Sequence, residues 1–372
     1  MRSYRYLIVG GGMTADAACR GIREHDGEGS IGLVGAEAHP PYDRPPLSKA
    51  LWQGKEESSI WRGTEELGVD LALGRRIVDL DLETQRATDD QGDEYGYERL
   101  LLATGGTPRR LPDAGDDVVY FRTYDDYRRL RGQARDGARF LVVGGGFIGS
   151  ELAAALSSTG ASVTMVFPED GIGGRLFPPD LSRFVTDYYR ERGVEVRTGE
   201  LASPELLGGR DGVVAGLGIV PNTELAEAAL LPVEDGVVVD EHGRVEGRED
   251  VFAAGDVARF PVPALGKQIR VEHEDHARTH GRAVGANMAG ADTPYDHLPF
   301  FYSDLFDLGY EAVGEVDSRL DTVEQWKEPG REGVVAYVHE DRRPRGFLLW
   351  NVWGKVDAAR ELIRAGEGAL AV

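Results

Sequence analysis

The chain has 372 residues, 41% hydrophobic and 28% charged, with 64 acidic against 42 basic side chains and a formal net charge of −22. That length exceeds a single hydrophobic core and fits two or three domains, and no apolar run is long enough to cross a bilayer. The charge argues against nucleic acid as a partner, and a lone cysteine, Cys19, excludes a disulfide framework or dithiol redox centre within one chain.

Tyr6-Leu7-Ile8-Val9 reads as an apolar strand so close to Met1 that no signal or transit peptide is expected, which points to the cytoplasm. Gly10-Gly11-Gly12 follows, then a helix over Ala15 to Ile22 that encloses Cys19 as a small buried hydrophobe, then a strand over Ile31 to Val34. Further on, Ile77 to Leu82 and Ala87-Thr88 flank a turn at Glu83-Thr84, and Gln91 to Glu94 forms a second turn. This predicts a β-ribbon followed by a buried strand over Leu100 to Ala103. The opening plan then repeats: Leu141-Val142-Val143, a glycine run from Gly144 to Gly149, a helix over Glu151 to Ser158 and a strand over Val163 to Val166. Val237 to Asp240 and Val251 to Asp256 read as strand, turn and buried strand. From Pro299 strands alternate with turns until a helix over Lys355 to Ala365.

Two βαβ units with glycine turns predict an α/β chain with two doubly wound, Rossmann-type dinucleotide-binding domains. Gly10, Gly12 and Ala15 make G-x-G-x-x-A; the first glycine permits the tight turn, the second lets a pyrophosphate approach, and the small third residue lets helix and strand pack. Gly144, Gly146 and Gly149 give the complete G-x-G-x-x-G, with Ile148 inside it. Two such sites need two dinucleotides, and one bound flavin plus one diffusing nicotinamide is the economical pairing. Glu169, just past the strand after the second motif, could accept from a ribose 2′-hydroxyl and repel a 2′-phosphate, which favours NADH. Arg175, six residues on, could instead bind that phosphate and keeps NADPH open. No metal site is expected.

The run Pro41 to Lys49 (PYDRPPLSK), Ala103-Thr104-Gly105-Gly106, Gly144 to Glu151, Ala254-Gly255-Asp256 and Val271-Glu272-His273 together resemble the FAD-dependent pyridine-nucleotide reductases that serve ferredoxins and rubredoxins. Phe167-Pro168-Glu169, Val271 to Ala277, Gly285 to Gly290, Tyr302 to Leu305 and Leu349-Trp350-Asn351 extend the resemblance to the apoptosis-inducing-factor-like flavoproteins, over nearly the whole chain and in order. It implies a glutathione-reductase-like fold: an FAD-binding domain over 1–117 and 241–297, an NAD-binding domain over 118–240 and a small α+β C-terminal domain over 298–372. It also implies that Arg44, Thr104, Gly105 and Asp256 contact FAD. Lys49 and Glu151 would form an ion pair beside flavin N5, with His273 and Tyr302 flanking the ring. The catalytic set is then Lys49, Glu151 and His273.

Three features depart from the family. Gly35-Ala36 stand where it has an acid for the FAD ribose, with Glu37 one place later as the substitute. Thr198 to Gly212 spans fifteen residues, whereas the family's three-stranded ribbon needs about 19 or more, so the NAD domain reads as trimmed. The long insertion and nuclear-targeting features of the animal apoptosis-inducing factor are missing from Val323 to Val334. With no cysteine in His39 to Lys49, thiol–disulfide chemistry is not expected.

The implied activity is hydride transfer from NADH to the flavin and onward delivery of electrons to a ferredoxin or rubredoxin. The alternative is a redox-sensing flavoprotein, in which a long-lived reduced FAD–NAD charge-transfer complex controls oligomerisation or partner binding. A monomer or homodimer without a membrane span fits either. Only five basic residues are lysine, and so acidic a surface suits a high-salt cytoplasm, where screening weakens carboxylate repulsion. The clusters Arg109-Arg110, Arg128-Arg129-Arg131 and Arg342-Arg343-Arg345 stand out against that field.

Overall fold

A computed structural model describes residues 1–366 except 113 and 116. Its α-helices in chain order are α1 Met13–His25, α2 Tyr124–Gln133, α3 Phe147–Ser158, α4 Pro179–Glu191, α5 Pro204–Leu207, α6 Glu224–Ala228, α7 Glu274–Met288 and α8 Val356–Ala365. The chain divides into two compact units, one of Met1–Asp43, Ser58–Thr107 and Val220–Pro299, the other of Arg44–Glu57, Pro108–Ile219 and Phe300–Val372.

The first unit is built on a seven-stranded sheet in the order Val69–Leu73, Ile31–Gly35, Arg2–Val9, Glu94–Leu102, Arg86–Asp89, Ile77–Asp81, with Val251–Ala253 also pairing Glu94–Leu102. Arg2–Val9 runs parallel to both neighbours, with Leu7 opposite Gly32 and Leu100. The expected ribbon is present, with Ile77–Asp81 antiparallel to Arg86–Asp89, and the expected buried strand starts earlier, at Glu94. The first part of Glu94–Leu102 pairs antiparallel with Arg86–Asp89, and its end, Leu100–Leu102, pairs parallel with Val251–Ala253. The fully apolar end Leu100-Leu101-Leu102 is buried, as a central parallel strand requires. The strand expected over Val237 to Asp240 is shorter, only Val237–Val238, and it pairs with Ala258–Val262.

Helices α1 and α7 cross at a distance only glycine allows. A Cβ on Gly285 would lie 2.1 Å from the Ala18 carbonyl oxygen, one on Gly281 2.5 Å from that of Thr14, and one on Gly21 2.0 Å from that of Arg282. Cys19 is fully buried in the core under this crossing with Ala15, Ile22, Leu33, Val284 and Met288.

The second unit contains a five-stranded parallel sheet in the order Glu195–Thr198, Ser162–Phe167, Arg139–Val143, Gly212–Ala215, Val118–Tyr120. Between Thr198 and Gly212 the chain makes only the single turn of α5. The C-terminal segment forms a five-stranded antiparallel sheet in the order Phe300–Leu305, Leu308–Gly314, Pro344–Trp350, Glu332–Val338, Asp321–Glu328, followed by α8. Among the described residues no helix is long and apolar enough to cross a membrane.

Candidate functional site

In the first unit three strand ends meet: Gly10 N–H donates to Val34 O at 2.8 Å, Ala103 N–H to Val9 O at 2.8 Å, and Ala254 N–H to Leu102 O at 3.1 Å. The carboxyl ends of parallel strands are where this class of sheet takes its ligand. Gly10 has φ +124°, and a Cβ there would sit 2.1 Å from Ala103 O, so the strand-to-helix turn tolerates no side chain. Gly12 caps α1 with extended backbone, φ −95° and ψ −169°, and Ala15 is wholly buried in the first turn. Asp256, distant in sequence, belongs to the same place. Gly255, at φ +74°, would drive a Cβ to within 2.2 Å of Thr14 Oγ1, so the turn carrying Asp256 rests against the N-terminal turn of α1.

Thr104 and Gly105 are clamped to Asn222. Thr104 Oγ1 donates to Asn222 O at 2.8 Å, Asn222 Nδ2 donates back to Thr104 O at 2.8 Å, and Asn222 N–H reaches Gly105 O at 2.9 Å. The Glu37 carboxylate accepts from the Tyr42 hydroxyl at 2.5 Å. His273 caps α7. Burial pushes its imidazole down to about 4 against the opposing pull of the Asp256 and Asp275 carboxylates, so it is neutral at physiological pH. Behind it lies a buried stack: Phe260 on His276 at 4.5 Å, His276 on His280 at 4.7 Å, and His280 Nδ1 accepting from Gly255 N–H at 3.3 Å. That bond fixes His280 as the Nε2–H tautomer and holds the Asp256 turn.

In the second unit Gly144 has φ +113°, and a Cβ there would lie 2.4 Å from Gly216 O; a Cβ on Gly149 would lie 2.0 Å from Gly144 O. Gly146, the residue capping α3, differs: a Cβ would meet nothing within 4 Å. A turn closed on two sides and open at its middle glycine fits a pyrophosphate approaching the α3 N-terminus. Ile148 is half-buried beside it. Glu169 and Arg175, read from sequence as competing determinants, instead pair with each other: Arg175 Nε donates to Glu169 Oε1 at 2.7 Å, with the arginine side chain 82% exposed. Arg44 Nη1 donates to Arg122 O at 2.8 Å.

The densest charged constellation of this unit centres on Glu151, on the first turns of α3 and 4% exposed. Lys49 Nζ, Ser48 Oγ and Ser303 Oγ each donate to its carboxylate at 2.6 Å. Lys49 Nζ also lies 5.1 Å from the ring centroid of Tyr302. The Asp304 carboxyl is pushed up by burial; the Lys49 cation opposes the shift and the Glu151 charge adds to it. Burial, reinforced by Glu151, drives the phenols of Tyr189 and Tyr310 well above their ordinary value. This is a desolvated ion pair whose remaining acceptor capacity is met by hydroxyls, the condition under which a buried pair persists.

The structure therefore brings Lys49, Glu151 and Tyr302 together in one unit, and Gly10, Gly12, Ala15 and Asp256 together in the other. Sequence reasoning missed Ser48, Ser303, Asn222 and His280. The two serines sit next to Lys49 and Tyr302 inside quoted motifs, which was the available signal; Asn222 and His280 gave none. For both dinucleotides the residues fit: the glycine turns leave backbone exposed where phosphate would lie, and Asp256 stands at the α1 turn.

Residues 4–281 match the family described as pyridine nucleotide-disulphide oxidoreductase, and residues 284–332 the C-terminal domain described as apoptosis-inducing factor, mitochondrion-associated. The chain is 33% identical to apoptosis-inducing factor 1, mitochondrial, of Dictyostelium discoideum over 98% of its own length and 79% of that protein's. It is 34% identical to the ferredoxin–NAD(+) reductase component of the anthranilate 1,2-dioxygenase system of Burkholderia cepacia, over 97% and 94%. A solved structure, the covalent putidaredoxin reductase–putidaredoxin complex, superposes with a TM-score of 0.90 at 29% identity, over 98% of this chain and 94% of that one. Chain-long identity, the paired glycine turns and the strand order agree, and the chain belongs to the pyridine nucleotide-disulphide oxidoreductase family.

Proposed function

We propose that the chain is an FAD-dependent NADH oxidoreductase that passes electrons to a small iron–sulfur protein. The observation that carries this reading is the buried Lys49–Glu151 pair, tied by Ser48 and Ser303 in a chain that also has two glycine-turn dinucleotide sites. Gly10, Gly12, Ala15, Glu37, Arg44, Thr104, Gly105, Asp256, His273 and Tyr302 are the proposed FAD ligands. Gly144, Gly146, Ile148, Gly149, Glu151, Glu169 and Arg175 are proposed to hold the nicotinamide dinucleotide. FAD, when bound, supplies a ring that takes hydride from NADH and releases electrons to an acceptor.

The protein's part is electrostatic. Lys49 supplies positive charge where reduction adds negative charge, and Glu151 orients the lysine while keeping the site close to neutral before reduction. The serines hold Glu151 in one rotamer, so the lysine need not reorganise. His273, neutral above about pH 4, adds a polar edge without a competing cation. Cys19, fully buried with its thiol pushed far up by burial, takes no part in redox chemistry.

The preference for NADH over NADPH is part of the proposal and rests on Glu169. The ferredoxin reductase relative and the putidaredoxin reductase complex support an iron–sulfur acceptor. The match of residues 284–332 to the apoptosis-inducing factor C-terminal domain supports a second reading, a flavoprotein whose reduced state persists and governs oligomerisation. One experiment separates them: NADH is added aerobically, and flavin absorbance and size-exclusion profile are followed. Rapid turnover with a ferredoxin and an unchanged profile supports the reductase; reduced flavin surviving for many minutes with a changed profile supports the sensor.

A further inference from the structure

Helix α2 turns Tyr124, Tyr127 and Leu130 inward and leaves Arg128, Arg129 and Arg131 exposed. The Arg128 guanidinium lies 5.9 Å from the Tyr124 ring centroid and that of Arg131 5.4 Å from the Trp52 ring. Among the described residues the contacts of these two arginines are with rings and neither forms an ion pair with a carboxylate, in a chain with 64 acidic side chains. The stretches 44–57 and 122–135 of this unit hold eight cations against four carboxylates; Lys49 and Arg135 are paired with Glu151 and Asp211 outside them, and six cations against four carboxylates remain, while the whole chain carries −22. Two of those four carboxylates are engaged locally: Glu57 accepts from the Tyr124 hydroxyl, and Asp126 closes the capping box of α2. The result is a cationic island on an acidic molecule.

The island is mechanically joined to the Lys49 segment. Trp52 lies in the short turn Ala50–Gln53 directly after Lys49, donates its indole N–H to Leu47 O at 2.7 Å, and meets Tyr127 edge to face at 5.8 Å. A guanidinium within about 6 Å of a ring centroid is attracted to the ring, which favours an ordered placement while leaving N–H groups for a partner's carboxylates. An acidic partner is repelled by most of this surface and drawn to this part of it, so the field gives orientation as well as attraction.

We propose that the Arg128–Arg131 face of α2, with exposed Lys55 beside it in the charge pattern, is the docking surface for an acidic one-electron carrier protein. This rests on the reductase reading and names the partner's chemistry. The test compares the FAD-loaded wild type with the double variant Arg128→Glu, Arg131→Glu, and with Arg128→Lys, Arg131→Lys as the conservative control. The probe is a strongly acidic plant-type [2Fe–2S] ferredoxin, and menadione is the uncharged acceptor.

In the charge-reversed variant KM for ferredoxin should rise about tenfold or more and lose most of its dependence on salt, since rim charges act through encounter. Its kcat and its menadione rate should stay at wild-type values, and the lysine variant should keep most of the affinity. An unchanged ferredoxin KM and salt dependence would overturn the proposal, as would a parallel fall in menadione rate. Binding measured by calorimetry at low salt separates the two levels. Salt-sensitive binding that is lost on charge reversal, but without electron transfer, upholds the docking surface and removes the reductase reading. A wild type that binds no acidic ferredoxin removes the docking surface.

Discussion

Glu151 accepts three short hydrogen bonds, two of them from residues 103 and 152 positions away. Lys49→Ala leaves that buried carboxylate with serines alone, and breaking a pair of this kind costs about 3 kcal/mol. The variant should therefore lose stability in denaturant and reduce its flavin more slowly with NADH while still binding FAD; an unaltered reduction rate would take Lys49 out of the mechanism. The Glu169–Arg175 pair makes a second residue-scale prediction. With Glu169→Ala the exposed Arg175 guanidinium is released to meet a 2′-phosphate, so the kcat/KM ratio of NADH to NADPH should narrow, and Arg175→Ala should widen it. A ratio indifferent to both would remove the pair from cofactor selection. Lys49, Glu151 and Tyr302 were legible in the sequence because they lie in recognisable runs. Ser48 and Ser303 acquire meaning only when tertiary folding brings them to one carboxylate, and no local periodicity reports that.

At the scale of elements, the α1–α7 crossing shows why glycine stands at Gly281 and Gly285. Gly285→Ala places a methyl 2.1 Å from Ala18 O; overpacking of this kind, less the helix propensity gained, should cost about 2 kcal/mol, seen as a lower denaturation midpoint and weaker retention of FAD. A midpoint equal to wild type would mean the helices can separate freely. The same helix α1 carries Asp16, fully buried, where burial opposes ionisation but bonds from Arg20, Arg62 and Thr64 outweigh it and leave its pKa lowered. A depressed folded pKa contributes stability above the unfolded carboxylate range, lost as pH falls through the folded value. Asp16→Asn should accordingly flatten the acid limb of the stability profile below about pH 4; an identical acid limb would rule out this linkage. The early start of the buried strand has a physical cause as well. Glu94–Leu102 alternates at its start, like a ribbon edge, and is uniformly apolar at its end, like a parallel core strand, so only its apolar end stands out in the sequence.

For the molecule as a whole, the two βαβ units and their glycine turns followed from pattern: apolar strand, glycine cluster, small-residue helix, twice. How the remaining short strands pair did not, since a two-residue element such as Val237–Val238 has no periodicity to read. The net charge of −22 is a global property with its own consequence. Self-repulsion among carboxylates falls as salt screens it, so the melting temperature should rise from low to high sodium chloride; a fall would mean that surface ion pairs dominate instead. The account stands or falls on electron flow from NADH through the flavin to a protein acceptor, and anaerobic stopped-flow of the FAD-loaded protein tests this directly. Mixing with NADH should bleach the flavin, and subsequent mixing with oxidised [2Fe–2S] ferredoxin should restore its absorbance as the cluster is reduced. A flavin that NADH leaves oxidised, or a reduced flavin that the ferredoxin cannot reoxidise, would contradict the account.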